Sequence, residues 1–228
     1  MRVIKLNSYN QLDQTKAERI TSMLRADIIN KEFAPGSHIT IKEISDRYHA
    51  SNIPVREALR TLESEHFLEI NPYKGATVLE VDEKFAALIY DVLRGLELIT
   101  YESIFDVMTD EFLEELRKIN NEIGTLKDNK ADRQRYLRLN DKLHTKLIEA
   151  SPNSLAKDLY HKYINIVQSF REIYVPEYNR IRQAYSEHED ILNAISQKDP
   201  MELKRCVDIH STRAGRNLHD QFISNSRF

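Results

Sequence analysis

The apolar positions of the first eighty residues change period as the chain proceeds. Ala17, Ile20, Leu24 and Ile28 recur at helical spacing over about Lys16 to Asn30, with Arg19 and Arg25 on other faces. Pro35-Gly36 ends that segment and turns the chain. Thr40 and Glu43 form a capping box that opens a second helix, whose inner stripe is Ile41, Ile44 and Tyr48. Ser51 is placed to cap a third helix, and Pro54 falls in its first turn, where a missing N–H costs little. Val55, Ala58, Leu59 and Leu62 face inward there, leaving Asn52, Ile53, Arg56 and Arg60 to face out. Phe67 to Ile70 and Ala76 to Leu79 read as short strands joined by the turn-forming run Asn-Pro-Tyr-Lys-Gly. Helix, helix, turn, helix and hairpin in that order predict a winged helix-turn-helix, which sets one helix into the DNA major groove.

From Val81 the strand and turn signals vanish and helical periodicity runs to the end. Asp82 is a candidate cap for a long helix striped by Phe85, Leu88, Ile89, Val92, Leu96 and Ile99. Thr109 heads a second helix with Phe112, Leu116, Ile119 and Ile123. A third covers about Asp132 to Ala150, carrying Tyr136, Leu139, Leu143 and Leu147, and breaks at Ser151-Pro152-Asn153. A fourth runs from Ser154 to about Tyr174 and stops before Pro176. A fifth starts near Glu177, with a further capping box at Ser186 and Glu189. Asp199-Pro200-Met201-Glu202 opens a last helix through about Phe222. The expected fold is mainly α: an N-terminal winged helix-turn-helix followed by an all-α bundle of six to seven helices. Residues 1–14 read as an arm, 15–80 as the DNA-binding domain and 81–228 as the bundle.

Composition sharpens this picture only in places. The 228 residues suffice for two domains, and the net charge is −3. Residues 1–80 hold 11 Lys and Arg against 11 Asp and Glu, so any basic DNA-facing surface must be local, with acids such as Glu63 and Glu65 elsewhere. Cys206 is the single cysteine, which excludes an internal disulfide and suits a reducing, cytoplasmic setting. The longest apolar run, Phe85 to Tyr90, is far too short to span a bilayer, and the N-terminus lacks a signal-peptide apolar region.

The first domain resembles the DNA-binding domain of the GntR family of bacterial transcription regulators. The matching pieces are Leu24-Arg25 with Ile28, Pro35-Gly36, and Pro54-Val55-Arg56-Glu57-Ala58-Leu59 followed by Leu62-Glu63. The resemblance implies DNA contacts from Arg25, Ser51, Asn52, Arg56, Lys74 and Gly75. Asn52 stands where the family usually has Arg, and His66 where it usually has Gly. Asn pairs best with adenine and Arg with guanine, so the departure at Asn52 bears on which operator sequence is read and not on DNA binding itself.

The bundle carries a second constellation. Asn140 and His144 are four apart on one helix face, while His188 and His210 lie on later helices. A lone helical His is more often a surface or satisfied core residue than a ligand, and spacing alone does not join these three. The region resembles the FCD-type ligand-binding domain of the FadR branch of the same family. It does so through Leu93-Arg94, Leu96-Glu97, Asn140-x-x-Leu143-His144, Ser151-Pro152-Asn153, Glu187-His188 with Ile191 and Ala194-Ile195, and His210. The resemblance implies a divalent cation held by Asn140, His144, His188 and His210, and an effector site at Arg94 and Asn217. Three imidazoles and an amide oxygen suit Zn²⁺ or Ni²⁺. His161 and His219 fit no such pattern.

The expectation is therefore a ligand-responsive transcriptional regulator, acting as a repressor. Its partners would be a pseudo-palindromic double-stranded operator, a small organic acid effector and a second copy of itself, with no membrane. The alternative is a metal-dependent enzyme using the three-His site around an activated water. No H-E-x-x-H or similar motif accompanies it, and a winged helix has no purpose in a plain hydrolase. A purely architectural DNA-binding dimer is disfavoured, because burying polar groups without a task is costly.

Overall fold

A computed structural model describes residues 15–72, 74–80, 83–173 and 176–225. The expected arm and the cap at Asp82 lie outside the described residues. The chain divides into two compact units, Met1–Val81 and Asp82–Phe228.

In the first unit α1 (Lys16–Ile29) opens on a capping box: Thr15 Oγ1 accepts from the Glu18 amide, and Glu18 accepts from the Thr15 amide at 2.7 Å. The expected box at Thr40 and Glu43 heads α2 (Ile41–Tyr48) in the same way. The recognition helix α3 (Asn52–Ser64) has Ser51 as its N-cap residue, but the Ser51 hydroxyl makes no capping hydrogen bond. Val55, Ala58, Leu59 and Leu62 are buried, as are Leu24, Ile44 and Phe67, and α3 packs on α1 and α2, which is the core the pattern calls for.

The sheet has one more strand than the sequence suggests. β1 (His38–Ile39), β2 (Leu68–Asn71) and β3 (Gly75–Val78) form an antiparallel sheet ordered β1-β3-β2. A two-residue strand shows no alternation to read, so β1 is invisible to periodicity. The hairpin pairs Asn71 with Gly75. Gly75 has φ +119°, and a Cβ there would lie 2.2 Å from the Ile39 carbonyl oxygen. Only glycine fits where β3 crosses β1.

The second unit contains six helices among the described residues: α4 (Glu83–Glu102), α5 (Asp110–Gly124), α6 (Lys130–Ala150), α7 (Ser154–Ile173), α8 (Tyr178–Ser196) and α9 (Pro200–Asn225). α4 packs on α9 and α7, and α8 on α9 and α5. Thr109, Asn129 and Asn153 supply side-chain caps to α5, α6 and α7. Asp199 caps α9 by accepting from the Met201 and Glu202 amides, while Glu202 turns to Arg205 instead of closing a box. Ser186 is not a helix start: α8 runs unbroken through it. The α4 stripe also divides. Ile89, Leu93 and Leu96 are buried, whereas Leu88, Val92 and Ile99 are 64 %, 43 % and 51 % exposed. One step along a helix is a turn of about 100°, so the sequence merged two neighbouring stripes into one. No helix among the described residues is long and apolar enough to cross a membrane.

Candidate functional site

α3 presents Ser51, Asn52, Ile53, Arg56 and Arg60 outward, as its spacing requires. Asn52 is steadied from α2, where the Ser45 hydroxyl donates to its Oδ1 at 3.1 Å. Lys74 is exposed at the hairpin tip, while Gly75 is buried against β1 and owes its identity to packing.

Arg25 departs from expectation. It does not point outward with Arg19 but is buried, donating from Nε and Nη2 to both carboxylate oxygens of Glu65 at 2.7–2.9 Å, with its guanidinium 5.9 Å from the Phe67 ring. A paired fork of this kind ties α1 to the C-terminal end of α3. The following residue, His66, has φ +62°, a left-handed conformation that the family's usual glycine adopts without cost.

In the second unit α6, α8 and α9 bring His144, His188 and His210 together. Their candidate ligand nitrogens all lie within 4.8 Å of one another, and all three residues are buried. Each ring is held from behind at Nδ1. His188 Nδ1 is 3.0 Å from Asn120 Oδ1, whose own amide nitrogen donates to the Tyr185 carbonyl and to Glu189. An amide oxygen only accepts, so the His188 proton sits on Nδ1. His210 Nδ1 is 2.9 Å from Glu187 Oε2, and Arg180 and Arg213 fix that carboxylate by donating to it. His144 Nδ1 has two oxygens within reach, Tyr101 at 2.7 Å and Glu97 at 3.2 Å. Ser211 donates to the other oxygen of Glu97.

With its proton on Nδ1, the His188 Nε2 lone pair is left for the interior. His188 Nε2 is buried and has no hydrogen-bond partner. Burial, together with neighbouring imidazoles and guanidiniums, holds His188 and His210 well below the usual histidine range. Both are neutral and ready to donate an electron pair. An orphaned buried nitrogen, converging imidazoles and outer partners that fix each tautomer fit a divalent cation. Asn140 is buried on the same helix as His144, lines the same cavity, and accepts from the Tyr136 hydroxyl at 3.1 Å.

The two residues expected at the effector are not brought together. Arg94 lies on the outer side of α4, paired with Asp91 at 3.1 Å and Asp208 at 3.7 Å, and lines a surface cleft. Asn217 lines a separate small cavity with Tyr136 and Arg180. Two other arginines lie beside the histidines: Arg180 of α8, whose Nη2 is 3.3 Å from His210 Nδ1 and donates to the His210 carbonyl at 3.4 Å, and Arg171 of α7, which lines the same cavity and donates to Tyr90 Oη at 3.1 Å and to Asp141 at 3.2 Å. Sequence reasoning missed Arg171, Asn120 and Tyr101, whose partners lie on other helices, and Arg180, whose partner Glu187 is seven residues on in α8 but whose contact with His210 is across to α9. Glu187 stood beside His188 and was the one supporting residue with a local signal.

Comparisons with known proteins follow the same division. The model of bacterial regulatory proteins of the gntR family matches residues 16–78, and the FCD domain model matches residues 88–213. The HTH-type transcriptional regulator YdhC of Bacillus subtilis is 26 % identical over 83 % of this chain and 84 % of its own length. The HTH-type transcriptional repressor RspR of Escherichia coli is 23 % identical over 88 % of both. The gluconate operon transcriptional repressor of B. subtilis is 26 % identical over 79 % of this chain and 76 % of its own. The solved structure of E. coli McbR/YncC shares the fold with a TM-score of 0.61 at 17 % identity, covering 92 % of this chain and 99 % of that one.

Proposed function

We propose that this chain, a transcription regulator that belongs to the GntR family and carries its FCD domain, represses its target genes and reads a small carboxylate effector through a divalent cation. The family and its relatives are DNA-binding regulators, not enzymes, which sets the metalloenzyme alternative aside. The observation that carries the sensing half is the set of three buried imidazoles whose outer nitrogens are engaged while His188 Nε2 has no partner. Asn140, His144, His188 and His210 would hold the cation, Zn²⁺ or Ni²⁺ by donor type. A bound cation would supply a charge to meet a carboxylate. Glu187, Asn120 and Glu97 hold the imidazoles in the ligating tautomer.

On the DNA side, Asn52 is suited to an adenine edge, Arg56 and Lys74 to bases or phosphate, and Ile53 to a thymine methyl. Two copies would read a pseudo-palindrome. The exposed Leu88, Val92 and Ile99 face of α4, with Gly95 between them, is the surface offered to the second copy. Val92→Asp should then sediment as a monomer where the wild type is a dimer. A monomeric wild type at micromolar concentration would sink the pairing.

The effector would bind one arrangement of the bundle better than another and so shift the population competent for DNA. The test is anisotropy with an operator selected from a random pool, titrated with short carboxylic acids in metal-loaded and chelated protein. An acid should change operator affinity roughly 5- to 150-fold, and only in the loaded wild type. A response that survives in His188→Ala would overturn the metal-mediated reading.

A further inference from the structure

We infer that the surface cleft between α4 and α9 is the outer half of the effector site, and that it takes a second anionic group. The effector class is then a short dianion, such as a dicarboxylate, and not a simple monocarboxylic acid. This rests on the metal-mediated reading above.

Size decides the point. The cavity at the histidines is about 20 Å³, room for about one water-sized group. The neighbouring cleft is about 290 Å³. Of these two spaces only the cleft has room for the body of a four- or five-carbon acid, with room inward for a single small donor group. The partition between the two spaces is thin, because Tyr90 and Ser211 line both. The Ser211 hydroxyl donates to Glu97, whose other oxygen lies 3.2 Å from His144 Nδ1, so the cleft wall is linked to the first imidazole through that carboxylate. The Tyr90 ring stands over Gly215, where even an added Cβ would only reach 3.4 Å from it. No side chain from that position pins the ring against displacement.

The charge of the cleft names the second group. Arg94 and Arg216 line it together with His219, and the one acid in its lining is Asp91, with Asp208 behind Arg94 at 3.7 Å. Arg94 is already shared by Asp91 and Asp208, and His219 lies 3.4 Å from Asp220. Arg216 is exposed on α9, facing the same opening. One carboxylate would displace Tyr90 and reach the cation, and the other would lie in the cleft against Arg216 and Arg94.

The experiment is calorimetric titration of Zn²⁺-loaded full-length protein with succinate and glutarate, each matched to butyrate and valerate. The dicarboxylates should bind about tenfold more tightly than their chain-length partners. Arg216→Ala should reduce that advantage to under about threefold, and Arg216→Glu should abolish it. Both exposed-site variants should keep their zinc and their monocarboxylate affinity. Equal binding of the two classes, an advantage undiminished in Arg216→Glu, or no dicarboxylate binding to zinc-replete protein would each overturn the proposal. Failure of the underlying metal reading would show separately, as zinc absent from the wild type by elemental analysis.

Discussion

Each unit of this molecule buries a cluster of ionisable side chains, and the two clusters are finished differently. In the DNA-binding unit Arg25 and Glu65 close on each other: a forked donor meets both oxygens of one carboxylate, with side-chain exposures of 8 % and 7 %. In the bundle, three imidazoles are engaged on the outside and converge on an interior where His188 Nε2 meets no partner. A closed pair belongs to the fold. An open cluster of comparable burial costs free energy until something binds, which is the mark of a site.

The largest expected effect tests the closed side. Glu65→Ala takes the carboxylate away from a buried guanidinium and should cost about 3–5 kcal/mol of stability, read by denaturant titration of the full chain. Arg25→Met combined with Glu65→Leu should recover most of it, since apolar replacement of a whole buried pair is often neutral. If Glu65→Ala unfolds like the wild type, the pair is not structural, and a DNA role for Arg25 regains its place. On the open side, His188→Leu in chelated protein should cost under about 1.5 kcal/mol, because losing the bond to Asn120 is offset by removing an orphaned nitrogen. The same variant should lose most of its bound zinc by elemental analysis. A stability loss equal to that of Glu65→Ala, with zinc retained, would make the cluster a second structural pair.

Asn120 sharpens the contrast further. It touches no cation yet fixes the His188 tautomer by accepting at Nδ1. Asn120→Ala should weaken zinc about 10- to 100-fold in competition with a chromogenic chelator, with all three histidines intact. Unchanged affinity would mean that the outer hydrogen bonds do not matter for ligation.

The two regions also differed in how far the sequence could be read. The DNA-binding unit shows signals of short range: capping boxes three residues apart, stripes within one helix, a hairpin closed by three residues. Its elements were legible for that reason, except β1, too short for a period, and Arg25, whose partner lies 40 residues away. In the bundle the helices were legible and their neighbours were not. Resemblance named the four ligand candidates, but periodicity could not say which α4 stripe is inside, nor that Arg94 faces the surface while Arg171 reaches the histidines. Those facts depend on which helix lies beside which, and no local pattern encodes that.

Function on the outer face should separate cleanly from stability, unlike function in the interior. Arg56→Ala removes an exposed side chain and should weaken operator binding by about 1–3 kcal/mol while leaving the unfolding midpoint where it was. Anisotropy at fixed salt measures the first and thermal melting the second. Binding equal to wild type would remove Arg56 from the reading face.

The smallest effect concerns Ile53, and it is the finest probe of that face. Its side chain is 72 % exposed in the first turn of α3, between Asn52 and Arg56. A large aliphatic group there gains nothing from the protein's own core, but it has the shape to cover a thymine 5-methyl in the major groove. Burying one methyl contributes about 0.8 kcal/mol, roughly a fourfold change in affinity. Replacing thymines of a selected operator one at a time by deoxyuridine should reveal one position per half-site with a loss of that size. In Ile53→Ala the same replacement should have no effect, because the partner of the methyl is already gone. If no thymine position responds in the wild type, or if the response is unchanged in Ile53→Ala, Ile53 reads no methyl and its exposure needs another cause.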